Sequence, residues 1–343
     1  MKISRLLLKV SLVVLPLLVL VGGEDKKVYP RSKSDIEKVV DKLKAGLDIS
    51  AKVVYDEMPS SGKPPKAGKV SKKYLESALC RLKIYRFLAG LPYDDITLDG
   101  EYNSKAQHAA VVLSMLGVGP SGPTYNPHKP PKPSGVSDDF YQLAKEGAAE
   151  SNIHIAKNEA GILNAIDGFM NDSGPANIDD LGHRRWCLNL AMKRAGFGFN
   201  ESAGWNYAAM WVDESRDSTP TFDFITFPAK GYHPTSFFGS DWAWSVNVNE
   251  GKYSTPVKGQ IKVTVSRKSD SSLQPLKLNY LNVSTGKRGA SGPCIIFRPE
   301  SVSVQNGAIY EVEITGLKTQ GGQNATIKYL VEFFELTSAK EKK

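Results

Sequence analysis

The hydrophobic period of this chain changes once, near Asp217, and nothing else in the sequence constrains the fold as strongly. Upstream of that point apolar residues recur every three or four positions. Downstream they alternate. Helical spacing first and strand spacing later predicts an α+β chain, not repeated βαβ units. The length of 343 residues is enough for two domains of ordinary size.

Upstream, Ile36, Val39, Val40 and Leu43 lie at helical spacing. Ser34, with Glu37 three residues on, is a capping-box pattern, and Gly46 is a stop signal. Residues 59–69, rich in Pro, Gly and Lys, read as a linker. Ser71 is an N-cap for a helix whose Leu75, Leu79, Leu82 and Arg86 share one face. The helix ends near Gly90 and Pro92. A second helix is expected from Asp99 to Leu116, with Ala106, Ala109, Ala110 and Leu113 on its packing face. Residues 117–138 form a Gly/Pro-rich loop carrying His128. A third helix, about Phe140 to His154, carries Glu150, and a fourth runs from about Ala160 to Asp172. Residues 196–199 and 207–212 then read as strands.

Past Asp217 the alternating segments are 242–248, 260–265, 308–314 and 327–334, separated by turn clusters. Their spacing predicts an all-β, Ig-like sandwich over 220–337. Residues 338–343 are a basic tail.

Residues 1–23 read as a signal peptide, with an uncleaved anchor helix as the alternative. A short basic start (Lys2, Arg5, Lys9) precedes an apolar run from Ser11 to Val21, then Gly22-Gly23. The run is short for a bilayer span and contains Pro16. No other apolar run would span a membrane, so none is expected after signal cleavage. This predicts a secreted protein, extracellular or periplasmic. The net charge of +8 comes from scattered lysines, with no basic stripe interleaved with aromatics, which argues against nucleic acid as a partner. Three cysteines, Cys80, Cys187 and Cys294, allow one disulfide, with Cys80–Cys187 the favoured pair, or three separate buried thiols.

Chemistry-bearing residues gather in the helical region. Asp180-Leu-Gly-His183-Arg-Arg-Trp-Cys187 sets a histidine beside two arginines. His128, Glu150 and Asp172 lie upstream. Two histidines with two carboxylates suit a metal site, an acid–base site or a buried polar network. Arg184 and Arg185 suit an anionic ligand, or local carboxylates such as Asp179 and Asp180. His108 reads as a packing histidine, His154 as a partner for Glu150 one helical turn away, and His233 as exposed in a connector. Ser173 near Asp172 and His183 lacks the spacing of a nucleophile elbow.

In order along the chain, Leu82-Lys-Ile-Tyr-Arg86 with Ala89-Gly-Leu-Pro92, Ala106-Gln-His-Ala109, Glu150-Ser-Asn152, Phe169-Met-Asn-Asp172, Gly182-His-Arg-Arg-Trp186 and Gly196-Phe-Gly198 resemble the boxes of the CAP superfamily, the SCP/pathogenesis-related-1 type. The resemblance covers residues 71–215, and 24–70 precede it as a helical segment and linker. It departs from the family at Ala149, where glycine is usual, and at Phe169, where tryptophan is usual. It implies an α-β-α sandwich whose cleft holds His128, Glu150, Asp172 and His183. It also implies a divalent metal, Zn²⁺, on His128 and His183. The expected function is an extracellular binding module for a cell-wall glycan, a peptide or a lipid. The alternative is a metal-dependent hydrolase, a peptidase or esterase, acting on extracellular or cell-wall substrates.

Overall fold

The computed structural model describes residues 32–45, 53–119, 122–158, 161–212, 222–268, 274–286, 288–289 and 292–337. The expected signal peptide and basic tail lie outside them, as does Gly46. The chain is α+β: helices dominate its first part and strands its second.

The first helix, α1 (Lys33–Lys44), is capped by Ser32, whose hydroxyl accepts the Asp35 N–H at 3.1 Å. The cap therefore lies two residues ahead of the expected Ser34. Starting there places Asp35 in the first turn, where the positive end of the helix dipole favours it. α1 buries Ile36 and Val40. Its outer side meets the end of the chain, through Lys33–Glu332 at 2.5 Å and the Thr337 hydroxyl donating to Glu37 at 2.7 Å.

The expected linker at 59–69 is a built element. It joins β1 (Tyr55–Glu57) to β2 (Lys69–Val70), which pair antiparallel. Its Ser61 meets the Ser114 hydroxyl at 2.7 Å and the Asn200 amide at 2.9 Å, and Ala67 accepts from Gln107 at 2.8 Å. Gln107, Ser114 and Asn200 are buried and polar, so they require partners. This segment supplies them.

α2 (Lys72–Leu88) starts at Ser71, which accepts the Tyr74 N–H at 3.3 Å. Leu75, Leu79, Leu82 and Arg86 are all buried. After β3 (Thr97–Leu98), Asp99 caps α3 (Gly100–Leu116) by accepting the N–H groups of Glu101 and Tyr102. α4 (Asp138–Ala149) is shorter than its expected span. It stops at Glu150, and the chain turns at once into β4 (Ser151–Lys157). Then come α5 (Gly161–Asn171), α6 (Gly182–Cys187), β5 (Arg194–Ser202) and β6 (Trp205–Trp211).

These strands form one sheet in the order β3-β5-β6-β4, antiparallel except for β3–β5. Strand alternation distributes its side chains to both faces. Gly196 and Gly198 lie against α3: a Cβ on Gly198 would sit 2.2 Å from the Ala106 carbonyl carbon. Tyr207 and Ala209 share that side with Ala106, Leu113 and Ala148. Phe197, Phe199, Ala208 and Met210 join the cluster holding Ile162, Ile166 and Phe169 of α5 and much of α2. Helices thus pack on both faces.

Among its described residues the second part has eight strands: β7 (Phe224–Phe227), β8 (Gly231–Pro234), β9 (Trp244–Val248), β10 (Lys262–Arg267), β11 (Leu278–Ser284), β12 (Cys294–Pro299), β13 (Ile309–Lys318) and β14 (Asn324–Phe334). They form two sheets, ordered β10-β13-β14-β8 and β11-β12-β9-β7. The sheets meet face to face: Trp244 on β9 packs edge-on against Tyr310 and Phe333 of the other sheet, at 5.8 and 6.3 Å. The opposite face of β9 and β12 is covered too, with Cys294, Ile296 and Ala243 against Ile178 and Leu181.

One further expectation is corrected, and one open alternative is decided. His233 is not exposed. It lies on β8, fully buried beside Phe227, Phe238 and Phe333. Its Nδ1 accepts the Ala229 N–H at 3.0 Å, and burial pushes its pKa down to about 3. The cysteines do not pair: all three are buried and free. The Cys80 thiol donates to the Leu43 carbonyl at 3.0 Å, while Cys187 accepts from the Asn152 amide at 3.5 Å. Among the described residues, no helix is long and apolar enough to cross a membrane.

Candidate functional site

The short helix α6 organises the site. Its N-cap residue, Leu181, has a left-handed φ of 47° and provides no side-chain cap. The cap comes from Asp172, just beyond the C-terminus of α5. Asp172 Oδ2 accepts the backbone N–H of His183 at 2.9 Å and of Arg184 at 3.4 Å. Its other oxygen, Oδ1, lies 2.8 Å from His183 Nδ1. One carboxylate therefore caps a helix start and orients an imidazole. Asp172 reaches this position at φ 47° and is 4% exposed. The backbone turn brings this short side chain to the histidine.

Arg184 and Arg185 are fully buried. Arg184 donates to Met170 O at 2.6 Å and Asn171 O at 2.7 Å, closing the end of α5. It also donates to Ala243 O at 2.8 Å and the Ser245 hydroxyl at 3.1 Å. Arg185 pairs with Asp180 at 2.6 Å and donates to the Ser284 hydroxyl, Gly286 O and Gly292 O. Both arginines thus bind the helical part to the sheet β11-β12-β9-β7. Phe227 lies under the Arg184 guanidinium at 5.0 Å. Burial lowers the Arg184 pKa to about 10, so it remains charged at neutral pH.

Two cavities adjoin α6. One, of about 440 Å³, is lined by His128, Glu150, Ser151, Asn152, Asn177, Asp180, His183, Trp186 and Arg288, among others. The second, of about 550 Å³, is lined by Ile153, His154, Ile155, Asn164, Asp167, Asn171, Asp172, Asn177, His183 and Trp242, among others. His183 and Asn177 belong to both walls, so the two cavities adjoin at these residues. His128, Glu150 and His183 share the first cavity, and Asp172 meets His183 from the second.

His128 Nδ1 lies 3.0 Å from the Ala148 carbonyl, and its backbone N–H donates to Asn126 at 2.9 Å. Burial lowers its pKa, the Ala148 bond opposes this, and His183 lowers it further. His128 is therefore neutral at pH 7. Glu150 closes the C-terminus of α4 and is half-buried. His154 is not one helical turn from Glu150. It stands on β4, with its ring against Gly168 and Phe169 in the second cavity. Ser173 donates to Asn171 O at 2.7 Å and accepts the Ala243 N–H at 2.8 Å, which makes it a structural hydroxyl. His108 packs on Phe140 at 4.4 Å, as expected.

Asp167, Asn171, Asn177, Trp242 and Arg288 were not expected in the groove. Asp167 accepts the Tyr85 hydroxyl at 2.7 Å, and burial raises its pKa. Trp242 and Arg288 come from the β part of the chain, and no sequence pattern marks them as cleft residues. Two polar atoms of groove-lining residues, Ser151 Oγ and Asn171 Oδ1, are buried without a hydrogen-bond partner among the described residues.

A zinc ion could use the remaining Nε2 positions of His128 and His183, since both Nδ1 atoms are already bonded. Catalytic zinc sites use three protein ligands. Among the described residues, no group of three or more His, Cys, Asp or Glu side chains is arranged to hold a metal ion. The donor set therefore stops at two imidazoles.

No family model matches the chain, and no curated protein matches it.

Proposed function

We propose that this protein is a secreted, CAP-type binding module whose groove, centred on His183, receives an extended extracellular ligand. One observation carries the reading: two cavities meet at His183 and Asn177, so a ligand long enough to occupy both passes the Asp172–His183 pair. The unpartnered Ser151 and Asn171 oxygens support it, because buried polar atoms without partners favour a ligand or water that bonds them. A sheet with helices on both faces supports the α-β-α sandwich of that superfamily over residues 71–215. The two facing sheets support an Ig-like unit over 220–337. The ligand classes are a cell-wall glycan, a peptide or a lipid. The metal-dependent hydrolase is the second reading. It rests on the two imidazoles whose Nδ1 atoms are bonded, leaving both Nε2 atoms for a metal.

The test uses the full chain and its His183→Ala and Trp242→Ala variants with three probes: chitohexaose, a pool of random dodecapeptides, and anionic phospholipid vesicles. At least one probe should bind the parent and lose tenfold or more in affinity in both variants. Binding of none, or binding unchanged in both, overturns the reading. Calorimetric zinc titration of the parent beside His128→Ala/His183→Ala separates the second reading. Stoichiometric binding lost in the double variant supports it, and no zinc binding by the parent removes it.

A further inference from the structure

The groove follows the outer edge of β4. In the sheet order β3-β5-β6-β4, β4 pairs with β6 and, among the described residues, with no other strand. The backbone bonds Val212 N→Glu150 O and Asn158 N→Gly204 O fix the phase of that ladder. In an antiparallel pair, alternate residues exchange both bonds with their partner, and the residues between them direct N–H and C=O to the other side. Glu150, Asn152, His154, Ala156 and Asn158 therefore bond inward to β6. Ser151, Ile153, Ile155 and Lys157 present their backbone groups outward. No hydrogen bond from the backbone of Ser151, Ile153 or Ile155 to another described residue occurs on that side. These residues line the groove: Ser151 the first cavity, Ile153 and Ile155 the second. Natural proteins usually blunt or cover such an edge. Here Lys157 is the single charged residue of β4, at its far end.

We propose that the groove takes an extended polypeptide segment as an added strand on β4. This rests on the reading of the groove as a ligand site and names its ligand class. An unpaired row of alternating N–H and C=O groups at strand spacing matches another polypeptide backbone; a glycan or an acyl chain carries no such repeat. The opposite wall fits the same occupant. Asn164, Asp167, Gly168 and Asn171 lie along one face of α5 at helical spacing, and Trp242 closes that end. Backbone pairing would supply affinity. Side chains of the added strand directed toward α5 would meet Asn171, whose buried Oδ1 accepts from no described residue. Strand addition at Ser151–Ile155 also lays the segment past His183, where the cavities adjoin.

The experiment begins with a phage-displayed random dodecapeptide library panned on the full chain, with the selected peptide resynthesised. N-methylation of alternate residues in one phase should weaken binding at least tenfold, and in the other phase less than threefold, because only one set of amides faces β4. Ile155→Pro removes an outward N–H while leaving the inward bonds of His154 and Ala156 to β6. It should abolish binding, whereas Ile155→Val retains it. Hydrogen exchange should show the Ile153 and Ile155 amides gaining at least tenfold protection with peptide bound, and the Asn152 and His154 amides unchanged. The exchange and N-methyl readouts do not depend on Ile155→Pro folding. Equal sensitivity in both N-methyl phases, or no protection at Ile153 and Ile155, overturns the proposal. A library that yields no binder, while chitohexaose or vesicles bind in a His183-dependent way, overturns it and leaves the groove as a site of another ligand class. Failure of every probe overturns both.

Discussion

Replacing Arg184 by Met tests whether the helical and β parts of the chain are held together by the bonds described above. The guanidinium is fully buried and satisfies Met170 O, Asn171 O, Ala243 O and the Ser245 hydroxyl. Met fills much of the space of the arginine stem but donates to none of them. A buried acceptor left unsatisfied costs about 1–3 kcal/mol. Three carbonyls near the low end of that range give a loss of about 3–6 kcal/mol. Removing the cation from beside Asp172 acts in the same direction. Single domains are stable by about 5–15 kcal/mol, so the variant should be marginal or unfolded at 25 °C. Arg184→Lys keeps the charge but not the planar fork and should lose an intermediate amount. The assay is equilibrium urea unfolding of the full chain, followed by tryptophan fluorescence. The midpoint should fall with little change in slope. A loss below about 1 kcal/mol for Arg184→Met, against the per-group cost above, would refute the reasoning.

Two other expected outcomes come from the fold. Gly198→Ala places a methyl 2.2 Å from the Ala106 carbonyl carbon and 2.3 Å from its oxygen, both backbone atoms of α3. It should destabilise the protein by about 3 kcal/mol or more, whereas Gly174→Ala, which meets nothing within 4 Å, should change stability by less than about 0.5 kcal/mol; comparable unfolding midpoints for the two would contradict the packing described. His233, with its pKa lowered from 6.5 to about 3, stays neutral in the fold while the unfolded chain takes a proton below pH 6.5. Stability should therefore fall with decreasing pH between these values, with a contribution from this group of about 1.4 kcal/mol per pH unit. His233→Gln should lack that contribution, and identical pH dependence in the two proteins would count against it.

The sequence exposed those elements whose two sides meet different surroundings. α2 and α3 carry side-chain caps at Ser71 and Asp99, and both starts are legible. β13 alternates buried and half-buried residues and is legible for the same reason. β12 is not: Ile295 and Phe297 enter the core between the facing sheets, while Cys294 and Ile296 meet Ile178 and Leu181 on the other side. With both faces buried there is no polar beat to read. β4 was hidden differently. It follows α4 without a loop, and its Ile153 and Ile155 are too few to outweigh the helical run before them. At the site, His183 and Asp172 were legible as residue types, and their 2.8 Å contact is set by the backbone turn at Asp172. Trp242 and Arg288 come from connections distant in sequence, and only the tertiary arrangement brings them to the groove.

The six-residue helix that presents His183 also carries the two arginines whose acceptors lie on Ala243, Ser245, Ser284, Gly286 and Gly292. A gene rearrangement that exchanged the β region for an unrelated sheet would have to reproduce those acceptors position for position. Otherwise it would strand two buried guanidinium groups and loosen the imidazole beside them. Drift in the strands is therefore felt in the groove without any groove residue changing. The two regions can diversify in their loops and outer surfaces independently, but across this seam they must be inherited as a pair.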